Sequence, residues 1–249
     1  MNRSASLAGI DAVIFDMDGV VTDTANVHAA AWKRLFDEYL QERAAAGGET
    51  FVPFDADHDY SRYVDGKPRY DGVRDFLAAR GISLPEGEIT DAPERETISG
   101  LGNRKDAYFL AHLREHGARA FPSTVDLVQR LTAKRVPTAI ISASRNMTEV
   151  LAAAGLGDLF AVKVNGLDAD RLNLRGKPYP DVFLEAARRL GVEASRAAIV
   201  EDALAGVEAG RRGGFGLVVG VDRTGHGDAL LAAGADVVVR DLEELELAP

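Results

Sequence analysis

The chain has 249 residues, 46% of them hydrophobic, which is enough for one large domain or two modest ones with an apolar core. Its formal net charge of −10 argues against a nucleic acid or an anionic membrane surface as the main partner. The absence of cysteine excludes disulfides and thiolate zinc sites. No stretch approaches the ~20 apolar residues of a membrane span, and no signal peptide is evident at the start. We therefore expect a cytoplasmic, monomeric enzyme that acts on a small molecule.

The first apolar run begins at residue 12 and ends in two carboxylates, Asp16 and Asp18. A buried strand ends where polar side chains meet solvent, so both should project at the carboxyl edge of a sheet, where open α/β sheets bind ligands. Two anions this close repel each other, which indicates a divalent metal and acid–base chemistry. Gly19 then allows a sharp turn. For this segment alone, aspartates that cap a helix or form a turn remain an alternative.

Residues 24–117 contain helical patterns but no convincing strand. We expect a helical cap domain over 24–117, inserted into an α/β core domain made of residues 1–23 and 118–249. The predicted cap helices span 24–45, 69–80 and 94–116.

Two smaller features of the cap also lead to expectations. The tract 44–48, three alanines and two glycines, looks like a flexible join. His112 and His116 are spaced i,i+4, and we expect them at the surface because no third zinc ligand is evident.

After residue 118, short apolar runs alternate with helical patterns. This alternation predicts a doubly wound, mainly parallel sheet with a Rossmann-like core. The predicted strands are 137–141, 161–164, 197–200, 217–221 and 237–239, and the predicted helices are 123–134, 146–154, 180–190, 203–212 and 227–233.

The segment Ser142–Asn146 lies between a predicted strand and the start of a helix. A hydroxyl, free backbone N–H groups and the positive helix terminus suit a phosphate group, and Arg145 adds charge. Simple N-capping by Ser144 explains the same residues equally well.

Charged residues also follow later elements. Lys177 lies in a loop stiffened by prolines, which suits a lysine held in a fixed position near an acyl phosphate. Glu201 and Asp202 stand where a buried strand meets a helix, and Asp202 alone is best explained as an N-cap. Because Asp16 and Asp18 end another strand of the same sheet, a magnesium ion shared by these carboxylates explains the pattern better, and Asp202 can serve both purposes.

Several separated motifs occur in a characteristic order over nearly the whole chain. They are Asp16-x-Asp18-Gly-Val-Val-Thr-Asp, Asp23-Thr24-Ala-x-x-His28-x-x-Ala-Trp32-Lys33, Arg104-Lys105-Asp106, Ser142-Ala-Ser-Arg-Asn146, Lys177-Pro and Glu201-Asp202. In this order and spacing the sequence resembles the haloacid dehalogenase-like phosphotransferases, and within them the β-phosphoglucomutases.

The resemblance implies a mechanism for the core residues. Asp16 would attack a phosphoryl group to form an aspartyl phosphate, and Asp18 would protonate the leaving oxygen and later deprotonate the acceptor hydroxyl. Ser142 and Lys177 would hold the transferring phosphoryl oxygens. The implied ligands of Mg²⁺ are Asp16, the Asp18 carbonyl, Glu201 and Asp202.

The resemblance also implies substrate-binding positions. The second phosphate of a sugar bisphosphate would dock on Arg69 and Lys105 of the cap. Thr24 and His28 would couple cap closure to the position of Asp18. The other implied positions are Trp32, Ala143, Arg145 and Asn146, although Trp32 also fits a core position on its helix.

Three residues depart from the mutase pattern. Asp65 stands where a basic residue is expected, Gly72 replaces a small polar residue, and Ala203 replaces a hydroxyl beside the metal carboxylate. Lys67 could substitute for the missing basic residue.

The resemblance implies a magnesium-dependent mutase that interconverts β-glucose 1-phosphate and glucose 6-phosphate, with glucose 1,6-bisphosphate as activator or intermediate. A sugar-phosphate phosphatase of the same superfamily is the alternative. A phospho-aspartate signalling module is a distant third, because such modules carry neither the second aspartate nor a helical cap.

Overall fold

The computed structural model describes residues 5–48, 50–223 and 225–247. The chain divides into two compact units, which we call the core unit (Met1–Asp23 and Ala118–Pro249) and the cap unit (Thr24–Gly117). Within the described residues, no helix combines the length and the apolar character that crossing a membrane requires.

The described secondary structure consists of strands, α-helices and a few short turns of other helix types. The strands are β1 (Ala12–Asp16), β2 (Thr138–Ile141), β3 (Val162–Val164), β4 (Ala197–Glu201), β5 (Leu217–Val221) and β6 (Val237–Val239). The helices are α1 (Ala25–Gly47), α2 (Arg69–Ala79), α3 (Ile98–His116), α4 (Pro122–Ala133), α5 (Met147–Ala153), α6 (Gly166–Leu172), α7 (Asp181–Leu190), α8 (Leu204–Arg212) and α9 (Gly227–Ala233). A π-helical turn spans Tyr60–Val64, and 3₁₀ turns span Ala194–Arg196 and Leu242–Glu244.

The core unit is built on one sheet with the strand order β3-β2-β1-β4-β5-β6. Every neighbouring pair is parallel, which confirms the predicted doubly wound sheet. All residues of β1, β2, β4 and β5 are buried, as expected for parallel strands covered on both faces. The carboxyl ends of β2, β1 and β4 therefore lie side by side in the middle of the sheet.

The cap unit packs α1, α2 and α3 around an apolar cluster. Phe36 lies at its centre, with ring centroids 5.3 Å from Phe54 and 4.1 Å from Phe76. The loop that carries Phe54 is held by the side chain of Asp37, which accepts the Phe54 amide at 2.8 Å. Residues 24–117 thus form a helical unit with its own apolar core.

Two helix boundaries differ from the sequence expectation by more than one residue. The prediction of a flexible join over 44–48 is wrong, because α1 continues through Gly47. Gly48, whose φ is 67°, is the C-cap residue of this helix. Alanine has the highest helix propensity, and glycine readily adopts the left-handed conformation that ends a helix. The third cap helix begins at Ile98 rather than at residue 94, since the Thr97 side chain caps it by accepting the Gly100 amide at 2.9 Å.

One helix, α6, was not predicted. It starts with a capping box in which the Asn165 side chain accepts the Asp168 amide and the Asp168 side chain accepts the Asn165 amide. The Asn-x-x-Asp spacing is a helix-start signal that hydrophobic periodicity alone does not register.

Candidate active site

Polar residues from three neighbouring strands meet at the carboxyl edge of the core sheet. Asp16 is the last residue of β1 and pairs in register with Ile141, so Ser142 follows one position further along. Phe15 pairs with Val200, which brings Glu201 level with Asp16 on the other side. Parallel register alone therefore collects a carboxylate, a hydroxyl and a second carboxylate at one place.

Lys177 joins the two carboxylates. Its Nζ donates to Asp16 Oδ1 at 2.6 Å and also to Glu201 Oε1. Lys177 is 5% exposed and Glu201 is fully buried. Burial by itself would lower the pKa of Lys177, but the Asp16 and Glu201 carboxylates outweigh it and raise that pKa above its ordinary value. Lys177 is therefore a fixed cation at neutral pH.

The Asp16 carboxyl lies in an electrostatically unfavourable position. Burial raises its pKa well above the ordinary value, the Lys177 ammonium opposes this rise, and the carboxylates of Glu201 and Asp18 add to it. Ionisation of Asp16 at neutral pH is thus favoured by more positive charge nearby than Lys177 supplies.

A metal ion fits this need. Asp16, Glu201 and Asp202 each offer a carboxylate oxygen, and these oxygens lie within 4.8 Å of one another. Oxygen donors of this kind are what Mg²⁺ prefers in proteins. The donor set of the structure therefore matches an Mg²⁺ site.

The position of Asp202 depends on Gly19. A Cβ atom on Gly19 would lie 1.7 Å from Asp202 Oδ2, and the Gly19 φ of +84° is itself unfavourable for other residues. The N-cap residue of α8 is Ala203, so Asp202 does not cap that helix. The carboxylate of Glu201 instead accepts the Ala203 amide at 2.8 Å.

Gly206 packs closely against the acid cluster, a contact that sequence reasoning missed. A Cβ atom there would lie 1.8 Å from Glu201 Oε1. Glycine inside a helix costs about 1 kcal/mol relative to alanine, so its presence in α8 was a signal that something packs closely against the backbone.

Ser142 links Asp18 to the loop before α5. Its Oγ donates to Asp18 Oδ2 at 3.3 Å and accepts the Ser144 amide at 3.0 Å. Ser144 Oγ in turn accepts the amide of Asn146, the N-cap residue of α5. The N-capping alternative for Ser144 is therefore wrong: the N-cap position belongs to Asn146, and Ser144 forms a turn just before it.

The remaining loop residues predicted to bind substrate lie beside this chain of bonds. Ala143 follows Ser142 directly, and Asn146 is buried. Arg145 forms an ion pair with Asp170 of α6 at 2.6 Å. The contacts of all three with a substrate remain predictions.

Three predicted cap residues lie together inside the cap unit. Lys105 is 4% exposed, and its Nζ contacts His28 Nδ1. The same Nζ lies 5.1 Å from the ring centroids of both Trp32 and Phe109. His28 stacks on Phe109 at 4.0 Å. Trp32 is 3% exposed and belongs to the apolar cluster, as its alternative interpretation expected.

Two further cap cations singled out from the sequence bind acids. Arg69 Nη1 lies 2.6 Å from Asp106 Oδ2, and Lys67 Nζ lies 2.7 Å from Asp75 Oδ2. Both pairs are within the cap unit, and each cation is mostly buried. Their roles towards a substrate also remain predictions.

The residues that depart from the mutase pattern have structural surroundings of their own. Asp65 ends the π-helical turn, and its amide donates to the Tyr60 carbonyl at 3.0 Å. A Cβ atom on Gly72 would lie 3.3 Å from the Trp32 ring, which leaves little room for a larger residue.

Thr24, at the start of α1, is buried and accepts the His28 amide at 3.0 Å through its carbonyl.

Comparison with known proteins gives consistent matches. The family model of the haloacid dehalogenase-like hydrolases matches residues 10–214. A β-phosphoglucomutase of Mycobacterium tuberculosis is 48% identical over 239 residues, which cover 95% of this chain and 91% of the relative. A phosphorylated carbohydrates phosphatase of Thermotoga maritima is 29% identical over 241 residues, covering 96% and 98%. The structure of a β-phosphoglucomutase from Clostridium difficile has the same fold, with a TM-score of 0.71 and 24% identity over 95% of this chain and 93% of that one.

Proposed function

Because the chain belongs to the haloacid dehalogenase-like hydrolases and to their β-phosphoglucomutase-like subfamily, we propose that this enzyme interconverts β-glucose 1-phosphate and glucose 6-phosphate. The observation that carries the choice of a mutase is the 48% identity to a β-phosphoglucomutase over nearly the full length of both chains. The residues gathered at the sheet edge supply the chemistry that such a reaction needs.

In the first half of the proposed reaction, a carboxylate oxygen of Asp16 attacks the phosphorus at C1 of glucose 1,6-bisphosphate, which leaves glucose 6-phosphate as the alcohol. The bond between phosphorus and the substrate oxygen breaks, and Asp18 gives that oxygen a proton. The products are an aspartyl phosphate and an alcohol. The contact of Lys177 with Asp16 and that of Ser142 with Asp18 support this assignment, because both side chains lie where phosphoryl oxygens can be held.

In the second half, Asp18 removes the proton from the 6-hydroxyl of an incoming β-glucose 1-phosphate, and that oxygen takes the phosphoryl group from Asp16, which regenerates glucose 1,6-bisphosphate. Glucose 1,6-bisphosphate is the species that both half-reactions share. Asp16 returns to its ionised form, so the cycle consumes neither water nor phosphate.

The metal site deepens this proposal. Asp16, Glu201 and Asp202 would hold Mg²⁺ together with the Asp18 carbonyl. The ion supplies positive charge that reduces the repulsion between the Asp16 carboxylate and the phosphoryl group. Lys177 supplies a second positive charge from a buried position.

A sugar-phosphate phosphatase is the second candidate, in which water replaces the sugar hydroxyl in the second half. One feature of the cap unit favours it: Arg69 and Lys67 both bind carboxylates of the cap. A mutase must exchange such contacts for the second phosphate of the bisphosphate, whereas a phosphatase needs only to release its product.

One assay separates the two candidates. The enzyme is incubated with β-glucose 1-phosphate, Mg²⁺ and a trace of glucose 1,6-bisphosphate, and glucose 6-phosphate is quantified against free phosphate. We expect glucose 6-phosphate to dominate, and product formation to stop when a chelator removes the metal. Mainly free phosphate would assign the enzyme as a phosphatase, and unchanged activity in excess chelator would contradict the metal site.

A further inference from the structure

The residues that follow Asp16 form a tight turn that carries Asp18. The Met17 carbonyl accepts the amides of Val21 and Thr22, both at 2.9 Å, and the Thr22 hydroxyl at 3.2 Å. The Gly19 amide donates to the Thr22 carbonyl at 2.8 Å. The position of Asp18 therefore depends on this turn as a unit.

Arg223, from the segment after β5, contacts the turn at Gly19. Its Nε lies 3.4 Å from the Gly19 carbonyl oxygen. Gly19 is also the residue whose missing Cβ makes room for Asp202. A donor on the Gly19 carbonyl thus restrains the peptide between Gly19 and Val20, one residue beyond Asp18.

Arg223 reaches the same turn by a second route. Its guanidinium carbon lies 3.9 Å from the centroid of the Phe121 ring. The Phe121 amide donates to the Val21 carbonyl at 3.0 Å, and the Thr124 hydroxyl donates to the Val20 carbonyl at 2.7 Å. The start of α4 and the guanidinium therefore hold successive peptides of the turn.

A second nitrogen of the guanidinium contacts the residues that follow β6. Nη1 lies 3.3 Å from the Arg240 carbonyl and 3.1 Å from Asp241 Oδ2. Nη2 is buried and has no hydrogen-bond partner among the residues that the structure describes. A buried donor left in this state lowers stability, so stability alone does not explain an arginine here.

We propose that Arg223 is a positioning residue for the proposed acid–base aspartate, Asp18, acting through the Gly19 carbonyl and Phe121. The inference rests on the proposed function, because it requires Asp18 to protonate the leaving oxygen. It adds a residue outside the motifs that identify the family. Without Arg223 the turn loses two restraints, and Asp18 no longer stays in line with the leaving oxygen.

The test compares two aryl phosphates of similar shape. The leaving oxygen of phenyl phosphate needs a proton, whereas that of 2,4-dinitrophenyl phosphate does not. Steady-state kcat/KM reports phosphoryl transfer to Asp16, the step in which Asp18 acts as an acid. For Arg223→Met, we expect kcat/KM on phenyl phosphate to fall by about 10- to 100-fold, as a displaced catalytic group does, and by less than about threefold on 2,4-dinitrophenyl phosphate.

Two further variants make the result interpretable. Arg196→Met removes another guanidinium of the core unit, one that is exposed and binds Asp11 through two nitrogens at 2.7 Å each, and it should leave both substrates unchanged. Arg223→Lys keeps the charge but not the planar group, so we expect an intermediate, leaving-group-dependent loss. If Arg223→Met does not fold, the same pair of substrates is measured on Arg223→Lys.

Equal losses on both aryl phosphates, or no loss on either, would overturn the positioning role. The proposed function fails separately, if the wild-type enzyme releases mainly free phosphate from β-glucose 1-phosphate. Because both aryl phosphates lack a sugar, the ratio of their kcat/KM values tests the role of Arg223 whichever of the two functions is correct.

Discussion

The core unit and the cap unit hold their charged groups in opposite ways. In the core unit, Lys177 is shared by Asp16 and Glu201, and Asp202 lies close to both acids. In the cap unit, by contrast, two cations named from the sequence each bind one acid, Arg69 with Asp106 and Lys67 with Asp75. The core cluster therefore carries a surplus of negative charge, whereas the cap pairs are balanced.

This difference indicates which of the two groups of charges favours a bound cation. A buried surplus of carboxylates is unfavourable unless a cation binds there, so it marks a site for a metal and for chemistry. A balanced pair is compatible with stability alone, and it can also hold a cation ready for an anion. Substitutions in the core unit and in the cap unit should therefore impair the activity of the enzyme in different ways.

The largest effect is expected in the core unit, from Asp16→Asn. An amide cannot form the acyl phosphate, so turnover should fall by at least about 10⁴-fold. Thermal stability should not fall, because the change removes one buried negative charge. Product formation and a thermal melt measure the two quantities. Asp126→Asn, at an exposed ion pair on α4, is the matched control and should keep full activity. More than trace turnover by Asp16→Asn would show that the nucleophile is another group.

In the cap unit, Arg69→Ala should slow the reaction of only one class of substrate, the sugar phosphates. If Arg69 grips the second phosphate, its loss costs about 2–4 kcal/mol in the transition state, or roughly 30- to 1000-fold in the conversion of β-glucose 1-phosphate. Hydrolysis of an aryl phosphate, which has no second phosphate, should change little.

The matched control for Arg69 is Arg74→Ala, which breaks exposed ion pairs of the same unit with Asp71 and Glu86. It should leave both reactions unchanged. Equal losses on both substrates for Arg69→Ala would assign the pair with Asp106 to the fold of the cap.

Gly206→Ala tests the close packing around the core acids. The added methyl group would displace Glu201, which we expect to cost about 1–3 kcal/mol of stability and to raise the Mg²⁺ concentration needed for half-maximal activity. Gly157→Ala is the control, since no atom lies within 4 Å of its added Cβ. Metal titrations and melts that match those of the wild type for Gly206→Ala would refute the packing argument.

The smallest effect is expected in the cap unit, at Tyr39. Burial, together with the hydrogen bond from its hydroxyl to Glu96 at 2.9 Å, raises the pKa of Tyr39 to about 12. A pKa raised by folding gives stability that is complete below the unfolded pKa of about 10 and is lost as the pH rises to about 12.

Tyr39→Phe should therefore unfold about 1 kcal/mol more easily near pH 8, and this difference should shrink between pH 10 and pH 12. Denaturant unfolding of both proteins across this range measures it. The control is Tyr179→Phe, at an exposed tyrosine of the core unit. A difference that stays constant with pH would show that the Tyr39 hydroxyl titrates normally.

The sequence alone was enough to predict the parallel sheet and the grouping of the core acids. In a parallel sheet, the first polar residue after each buried strand reaches the same edge, so Asp16 and Glu201 could be assigned to one edge from the sequence, and the family resemblance added Ser142. Period-2 and period-3.6 patterns, being local, also located most helices and strands to within a few residues.

Only the tertiary structure decided which charged side chains pair and which atoms of different elements lie in close contact. Each of these contacts joins residues from different elements. They are the contacts of Arg69 with Asp106, of Lys105 with His28, of Gly206 with Glu201 and of Arg223 with Gly19. A helix offers several faces, and a long side chain can reach many neighbours, so sequence spacing does not determine which atoms meet. Strand register transmits position along the backbone, whereas contacts between helices and loops depend on how side chains pack.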